Sequence, residues 1–144
     1  MADDHKIKVA IVGYGVIGSR TATAISQQSD MILSGVADVA TDWRIAQIIS
    51  QGIALFAATA EASAAMEAAG LPTNGLLTDL VESSDIIVDC TPKHRGAENA
   101  ELYRKLDRPF IVQGGEKHDV TGHSFVAETS YSSTIGRSAT RVVS

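Results

Sequence analysis

Short apolar runs recur along the chain, and the stretches between them carry apolar residues at helical spacing. Ile7–Val12 is the first run, broken only by Lys8 and closed by Gly13. Met31–Ala37, Asp85–Cys90 and Pro109–Val112 follow, and Ser124–Ala127 and Arg141–Val143 (extending back to Thr140) come late in the chain. Runs of this length, rich in Val and Ile and bounded by Gly, Pro or Asp, are expected to be buried strands. Between the first two, Val16–Gln28 sets Ile17, Thr21, Ala24 and Ile25 on one helical face. Thr41–Gln51 and Glu61–Ala69 are likewise helical, with Gly52 and Gly70 as stops, and Arg95–Leu106 precedes the strand opened by Arg108-Pro109. The nine Ala of Ala54–Ala69, with Glu61 and Glu67, favour a packed helix over a low-complexity segment, and Leu71–Gly75 is a turn.

Strand and helix in alternation predict a parallel sheet covered on both faces. Neither an internal repeat nor a linker interrupts the pattern, so residues 1–144 are expected to form one domain. A strand that finishes at the last residues leaves apolar surface for another segment to cover. The chain is therefore expected to be a piece of a longer protein or an isolated cofactor domain, with a natural stand-alone module as the alternative.

Composition narrows the function. With 144 residues, 44% of them hydrophobic, the chain suffices for one core, and a domain of that size buries roughly 70% of its unfolded surface. No run reaches the ~18 apolar residues of a membrane span. The opening M-A-D-D-H-K is acidic and lacks the apolar stretch of a signal peptide. One Cys forms no internal disulfide, in keeping with a reducing cytoplasm. The net charge is -5 and the 12 Lys and Arg are scattered, which argues against a nucleic-acid partner. His5, His94, His118 and His123 show no metal-ligand spacing and are expected to be exposed or capping residues. Trp43, the only Trp, is expected to pack in the second crossover.

The chemistry begins at Lys8-Val-Ala-Ile-Val-Gly-Tyr-Gly-Val-Ile-Gly18, which leaves the first strand and opens the first helix. Its glycines, Gly13, Gly15 and Gly18, form G-x-G-x-x-G. In that pattern the first Gly makes a tight turn, the second lets a pyrophosphate approach the backbone, and the third lets helix and strand pack closely. The helix start adds free N–H groups and a partial positive charge. Asp38 ends the second strand 20 residues past Gly18. A carboxylate there hydrogen-bonds the adenosine ribose and repels the additional phosphate of NADP. The expected fold is a doubly wound α/β Rossmann sheet that binds NAD or NADP, with NAD favoured. Gly13, Tyr14, Gly15, Val16, Ile17 and Gly18 are expected to hold the pyrophosphate and Asp38 the ribose.

Further along stand Val88-Asp89-Cys90-Thr91-Pro92, then Gln113-Gly114-Gly115-Glu116-Lys117, and finally Arg141-Val142-Val143-Ser144. In this order and spacing, and with the Gly-Tyr-Gly opening, the chain resembles the N-terminal half of the archaeal-type (type II) glyceraldehyde-3-phosphate dehydrogenases. The resemblance implies phosphorylating oxidation of glyceraldehyde 3-phosphate to 1,3-bisphosphoglycerate in glycolysis or gluconeogenesis, by a cytoplasmic homotetramer. In that family a Cys thiolate attacks the aldehyde, hydride leaves to the nicotinamide, and phosphate cleaves the thioester. The nucleophile follows R-V-V-S, so it would lie just after Ser144 and outside this chain, with Ser144 bordering the substrate. Cofactor binding without turnover is the consequence, with no catalytic residue among these 144. The family usually carries Asn where Val12 stands and often a Lys, suited to NADP, where Asp38 stands.

Cys90 lies within an apolar run with no His nearby in sequence, and is expected to be a buried structural thiol. Thr91 and Pro92 are expected to line the cleft near the nicotinamide or its ribose, and Gly114 and Gly115 to let the backbone approach the cofactor. Lys93, His94 and Arg95 are a small basic cluster, either facing an anion or forming a solvated helix start. Two other readings fit the front motif. One is the cofactor domain of a homoserine, aspartate or aspartate-semialdehyde dehydrogenase; the other is a non-catalytic nucleotide-binding or redox-sensing module.

Overall fold

The computed structural model describes residues 5–113, 115–126 and 128–143. Strand β1 (Ile7–Val12) leads into helix α1 (Val16–Ser26), followed by β2 (Met31–Asp38), α2 (Trp43–Ser50), β3 (Leu55–Ala57) and α3 (Ala60–Ala68). The second half runs through α4 (Leu77–Glu82), β4 (Ile86–Asp89), α5 (Arg95–Lys105), β5 (Phe110–Val112), β6 (Ser124–Phe125), α6 (Tyr131–Thr134) and β7 (Ala139–Val142). The strands form one sheet in the order β3-β2-β1-β4-β5-β7-β6, and every pairing is parallel. This is the doubly wound Rossmann architecture expected from the sequence.

Alternation along β1 shows why the sheet is covered on both sides. Val9 and Ile11 belong to one apolar cluster, with Ile25, Ile45, Ile48 and Met66. Ala10 and Val12 belong to the other, with Leu80, Val81, Tyr103 and Phe110. Successive strand residues point to opposite faces, so a run apolar at every position fits only a sheet buried on both. Helices α1, α2 and α3 supply the first cluster, and α4 and α5 the second. The Tyr103 ring packs 5.3 Å from that of Phe110.

Three expectations need correction. Ala54–Ala69 is not helical throughout. Leu55, Phe56 and Ala57 form β3, all buried, and pair in register with Val36, Ala37 and Asp38. Helix propensity of Ala is a local preference of a few tenths of a kcal/mol, and burying Leu55 and Phe56 against β2 outweighs it, at roughly 1.5–3 kcal/mol per side chain. Phe56 lies over Gly35, where an added Cβ would stand 2.7 Å from its ring. Trp43 does not pack: it is 73% exposed at the first turn of α2. His123 is neither exposed nor a cap. It is buried, with Nδ1 at 2.8 Å from Thr140 Oγ1 and Nε2 at 3.1 Å from Ser133 Oγ, tying β7 to α6.

The order of strands reverses between β1 and β4, which lie side by side in the middle of the sheet with Val12 opposite Asp89. A crevice opens beyond the carboxyl ends of strands at such a switch point.

Candidate functional site

The chain leaves β1 through Gly13, whose φ of 88° is in the left-handed region. A side chain there would be strained, and a Cβ would also stand 3.0 Å from Thr91 N. The loop thus lies directly on the segment leaving β4. Gly13 N donates to the Ala37 carbonyl at 2.8 Å and Cys90 N to the Val12 carbonyl at 2.7 Å, locking three strand ends together. Gly18, in the first turns of α1, touches the loop from beneath: a Cβ there would lie 1.9 Å from Gly13 O. Gly15 differs from both. It is the N-cap of α1, with no side-chain cap, and a Cβ there would meet nothing within 4 Å. The chain therefore leaves open space over an uncapped helix start, where main-chain N–H groups and the helix dipole favour an anion.

Asp38 lies across from this loop. Its Oδ2 accepts from Tyr14 N at 2.6 Å, and its Oδ1 from Val39 N at 2.7 Å and Ala40 N at 2.9 Å. The carboxylate fixes the glycine loop to the end of β2 and keeps lone pairs for a further donor. The Tyr14 ring is buried in the first core cluster, so Tyr14 presents only its backbone here.

The third wall is the end of β4. Asp89 is fully buried, and four donors converge on its carboxylate. Oδ1 accepts from Thr91 N at 3.0 Å and from Thr91 Oγ1, while Oδ2 accepts from Asn99 Nδ2 at 3.0 Å and Tyr103 Oη at 2.7 Å. Burial, reinforced by the Asp89 charge, pushes the Tyr103 phenol far above its ordinary range, so it remains a donor at every working pH. The network pins Thr91-Pro92 against α5. Cys90, beside it, is half-buried and lines the cleft. Burial first, and the neighbouring Asp89 second, push its thiol up to about 12. A thiol at that value holds almost no thiolate near neutrality.

These walls enclose a cleft of about 420 Å³. Gly13, Tyr14, Gly15, Asp38, Thr91 and Pro92, all expected from sequence, line it together. Val16 and Ile17 are exposed beside it, Gly18 lies under the loop, and Gly115 is exposed away from it. Gly114 and Ser144 lie outside the described residues. Sequence reasoning passed over Arg44, Thr59 and Asn99, which also line the cleft, and Arg95 of the basic cluster joins them. Arg44 and Thr59 start helices that follow β2 and β3, and such starts sit on the ligand side of a parallel sheet; that position was the available signal.

Residues 7–115 match the protein family described as "Dihydrodipicolinate reductase, N-terminus". The chain belongs to that family. Its match covers β1 to the segment after β5, and with it every residue lining the cleft. Along almost its whole length the chain is also similar to archaeal glyceraldehyde-3-phosphate dehydrogenases, as the sequence motifs implied. It is 42% identical over 138 residues to the enzyme of Methanothermobacter thermautotrophicus, covering 96% of this chain and 41% of that protein. With the enzyme of Thermococcus kodakarensis it shares 45% over 139 residues, covering 96% and 42%. The chain thus spans about two fifths of the length of these relatives. Among solved structures, GenD2 from gentamicin A biosynthesis, in complex with NAD, superposes with a TM-score of 0.54 at 17% identity, over 76% of this chain and 27% of that one. This likeness shows the fold, a Rossmann sheet. The family places the chain among the nicotinamide-dinucleotide-binding N-terminal domains of oxidoreductases. Among the described residues, no group of His, Cys, Asp and Glu is arranged to hold a metal, and no helix is long and apolar enough to cross a membrane.

Proposed function

We propose that residues 1–144 are the cofactor-binding part of a cytoplasmic, homotetrameric glyceraldehyde-3-phosphate dehydrogenase, and that they bind NAD in preference to NADP. The observation that carries this reading is the empty space over Gly15. A glycine with ordinary backbone angles and no atom near its missing side chain has no internal reason to be glycine, and a pyrophosphate lying on the loop supplies one. Identities of 40–45% with archaeal glyceraldehyde-3-phosphate dehydrogenases support the substrate, glyceraldehyde 3-phosphate with inorganic phosphate.

The roles follow from position. The uncapped N–H groups of α1, with Gly13 to Gly18 around them, hold the pyrophosphate. Asp38 accepts from an adenosine ribose hydroxyl while its charge disfavours a phosphate at that position. Thr91 and Pro92, held rigid through Asp89, border the nicotinamide side. Bound nicotinamide supplies a hydride acceptor. Cys90 takes no part, and the thiol that attacks the aldehyde comes from elsewhere in the enzyme.

Calorimetric titration tests the reading. NAD should bind more tightly than NADP, and Asp38→Ala should narrow the difference. Failure of both cofactors to bind, or tighter binding of NADP to the parent chain, overturns it. With NAD, phosphate and glyceraldehyde 3-phosphate added together, absorbance at 340 nm should stay flat; its rise would show that these residues contain the nucleophile after all.

A further inference from the structure

Asp89 decides more than the stiffness of the β4–α5 junction. Its carboxylate, acceptor-only when ionised, offers about four lone-pair positions, and donors from Thr91, Asn99 and Tyr103 occupy them. Thr91 and Asn99 also line the cleft, each half-buried. Both therefore face two ways, inward to a buried charge and outward to a ligand. Asn99 turns Nδ2 to Asp89 Oδ2 at 3.0 Å, which fixes the way its amide points. The flipped amide would set Oδ1 against the carboxylate, acceptor against acceptor. The carbonyl Oδ1, which has no hydrogen bond among the described residues, is thus what Asn99 keeps for the cleft. Thr91 donates its hydroxyl proton to Asp89 Oδ1, and its oxygen keeps only lone pairs for another partner. Arg95 lines the cleft too, but its guanidinium is 68% exposed and paired with Glu98 at 3.2 Å, so water and Glu98 screen its charge.

We infer that Asp89 sets the hydrogen-bonding polarity of this wall, so that Asn99 and Thr91 meet a ligand only as acceptors and select a neutral donor group over an anionic one. On the dinucleotide reading above, on which this rests, the group that reaches the wall belongs to the nicotinamide half of the cofactor. Two kinds of donor are available there, the amide N–H groups of the carboxamide and the hydroxyls of the adjoining ribose. The carboxamide meets the requirement with two N–H groups on one nitrogen, matched to two acceptors. A carboxylate in its place, as in nicotinic acid adenine dinucleotide, sets acceptors against acceptors and adds a negative charge near Asp89. The consequence is a preference for the amide over the acid form of the dinucleotide, set from α5 and not from the glycine loop. Asp89 is a positioning residue here. Itself fully buried, it acts through the two side chains it holds.

The test is calorimetric titration with NAD, nicotinic acid adenine dinucleotide, ADP-ribose and 5′-AMP. These carry, in turn, the amide, the acid, the ribose without the ring, and the adenosine end alone. The parent chain should bind NAD at least about tenfold more tightly than the acid form. Asn99→Leu, similar in volume and unable to accept, should weaken NAD about threefold to tenfold, the worth of one neutral hydrogen bond. The acid form, ADP-ribose and 5′-AMP should stay within about twofold, so the preference for NAD shrinks. Asp89→Asn frees the Asn99 amide to turn over and present Nδ2, and should lower the same preference at least about threefold. Mere loss of structure lowers all four affinities together and leaves their ratios alone. If ADP-ribose and the acid form weaken along with NAD in Asn99→Leu while 5′-AMP holds, the donor is a ribose hydroxyl and the acceptor wall stands. An acid form bound as tightly as NAD, with ADP-ribose unaffected by Asn99→Leu, overturns the inference. So does an Asn99→Leu protein that binds NAD like the parent, or one in which 5′-AMP weakens as much as NAD; either result leaves the dinucleotide reading intact. Failure of the parent chain to bind NAD at all removes that reading and this inference together.

Discussion

A methyl group placed on Gly18 would stand 1.9 Å from Gly13 O, whereas one on Gly15 would meet nothing within 4 Å. The two glycines therefore answer to different constraints, the first to the fold and the second, in the function proposed above, to a ligand. Gly18→Ala should force α1 away from the loop and lower stability by about 2–4 kcal/mol, read from denaturant midpoints. Gly15→Ala should keep or slightly raise the midpoint, since the unfolded chain loses freedom, while cofactor affinity drops at least tenfold in calorimetry. Equal losses of stability in the two variants would remove the distinction. Cys90 offers a second test at this scale. Its thiol titrates near 12 when folded and near 9.0 ordinarily, so between these values the unfolded chain ionises first. That contribution to stability is complete below pH 9.0 and is lost as the pH rises toward about 12. Cys90→Ser should flatten this part of the stability–pH curve. At pH 7.5 the native thiol should resist iodoacetamide until denaturant is added; rapid alkylation of the folded protein would contradict the burial argued here.

At the scale of elements, the junction of β4 and α5 depends on one carboxylate. Asp89 receives donors from Thr91, Asn99 and Tyr103, so a single buried charge joins a strand, the turn after it and a helix. Tyr103→Phe removes one donor and should cost about 1–2 kcal/mol. Asp89→Asn puts an amide against the remaining donors and should cost about 2–4 kcal/mol, with cofactor affinity falling as Thr91-Pro92 loosens. Both are measured by chemical unfolding, and a cost for Asp89→Asn no greater than that for Tyr103→Phe would show that the network does not act through the charge. The same elements explain what was legible in the sequence. β1, β4 and β5 are buried over most of their length and, with the more open β2, stand out as apolar runs, so each was placed within a residue or two. β3 is a three-residue edge strand in an Ala-rich stretch, and its apolar letters Leu55-Phe56-Ala57 suit a helix equally well. Only pairing with β2, a contact distant in sequence, decides between them. α4 is six residues long, too short to show a period, and it was missed for that reason. The glycine loop and Asp38 were readable because the turn and the strand end need those residue types. Arg44 and Asn99 were not, because helices deliver them to the cleft and nothing local marks which helical face looks inward.

For the whole molecule, the cleft is where separate parts of one sheet meet, and that has a measurable consequence. Its walls come from the β1–α1 loop, the end of β2 and the start of α2, and the β4–α5 junction. A ligand bridging these segments binds a surface that exists only when the central strands are paired in register, so it should stabilise the entire cooperative unit and not one loop. At a hundredfold excess over its dissociation constant, a ligand selective for the native state adds about 2.7 kcal/mol. For a domain of this size that corresponds to a rise in Tm of roughly 8 °C. NAD should give that rise in a single transition, monitored by far-ultraviolet circular dichroism. Gly15→Ala should keep the ligand-free Tm and lose about half or more of the NAD-induced shift at the same concentration, because it fills the space over the helix start without disturbing the core. A Gly15→Ala protein stabilised by NAD as fully as the parent would mean that the dinucleotide does not lie on the glycine loop, and the role drawn from the open space above α1 would have to be abandoned.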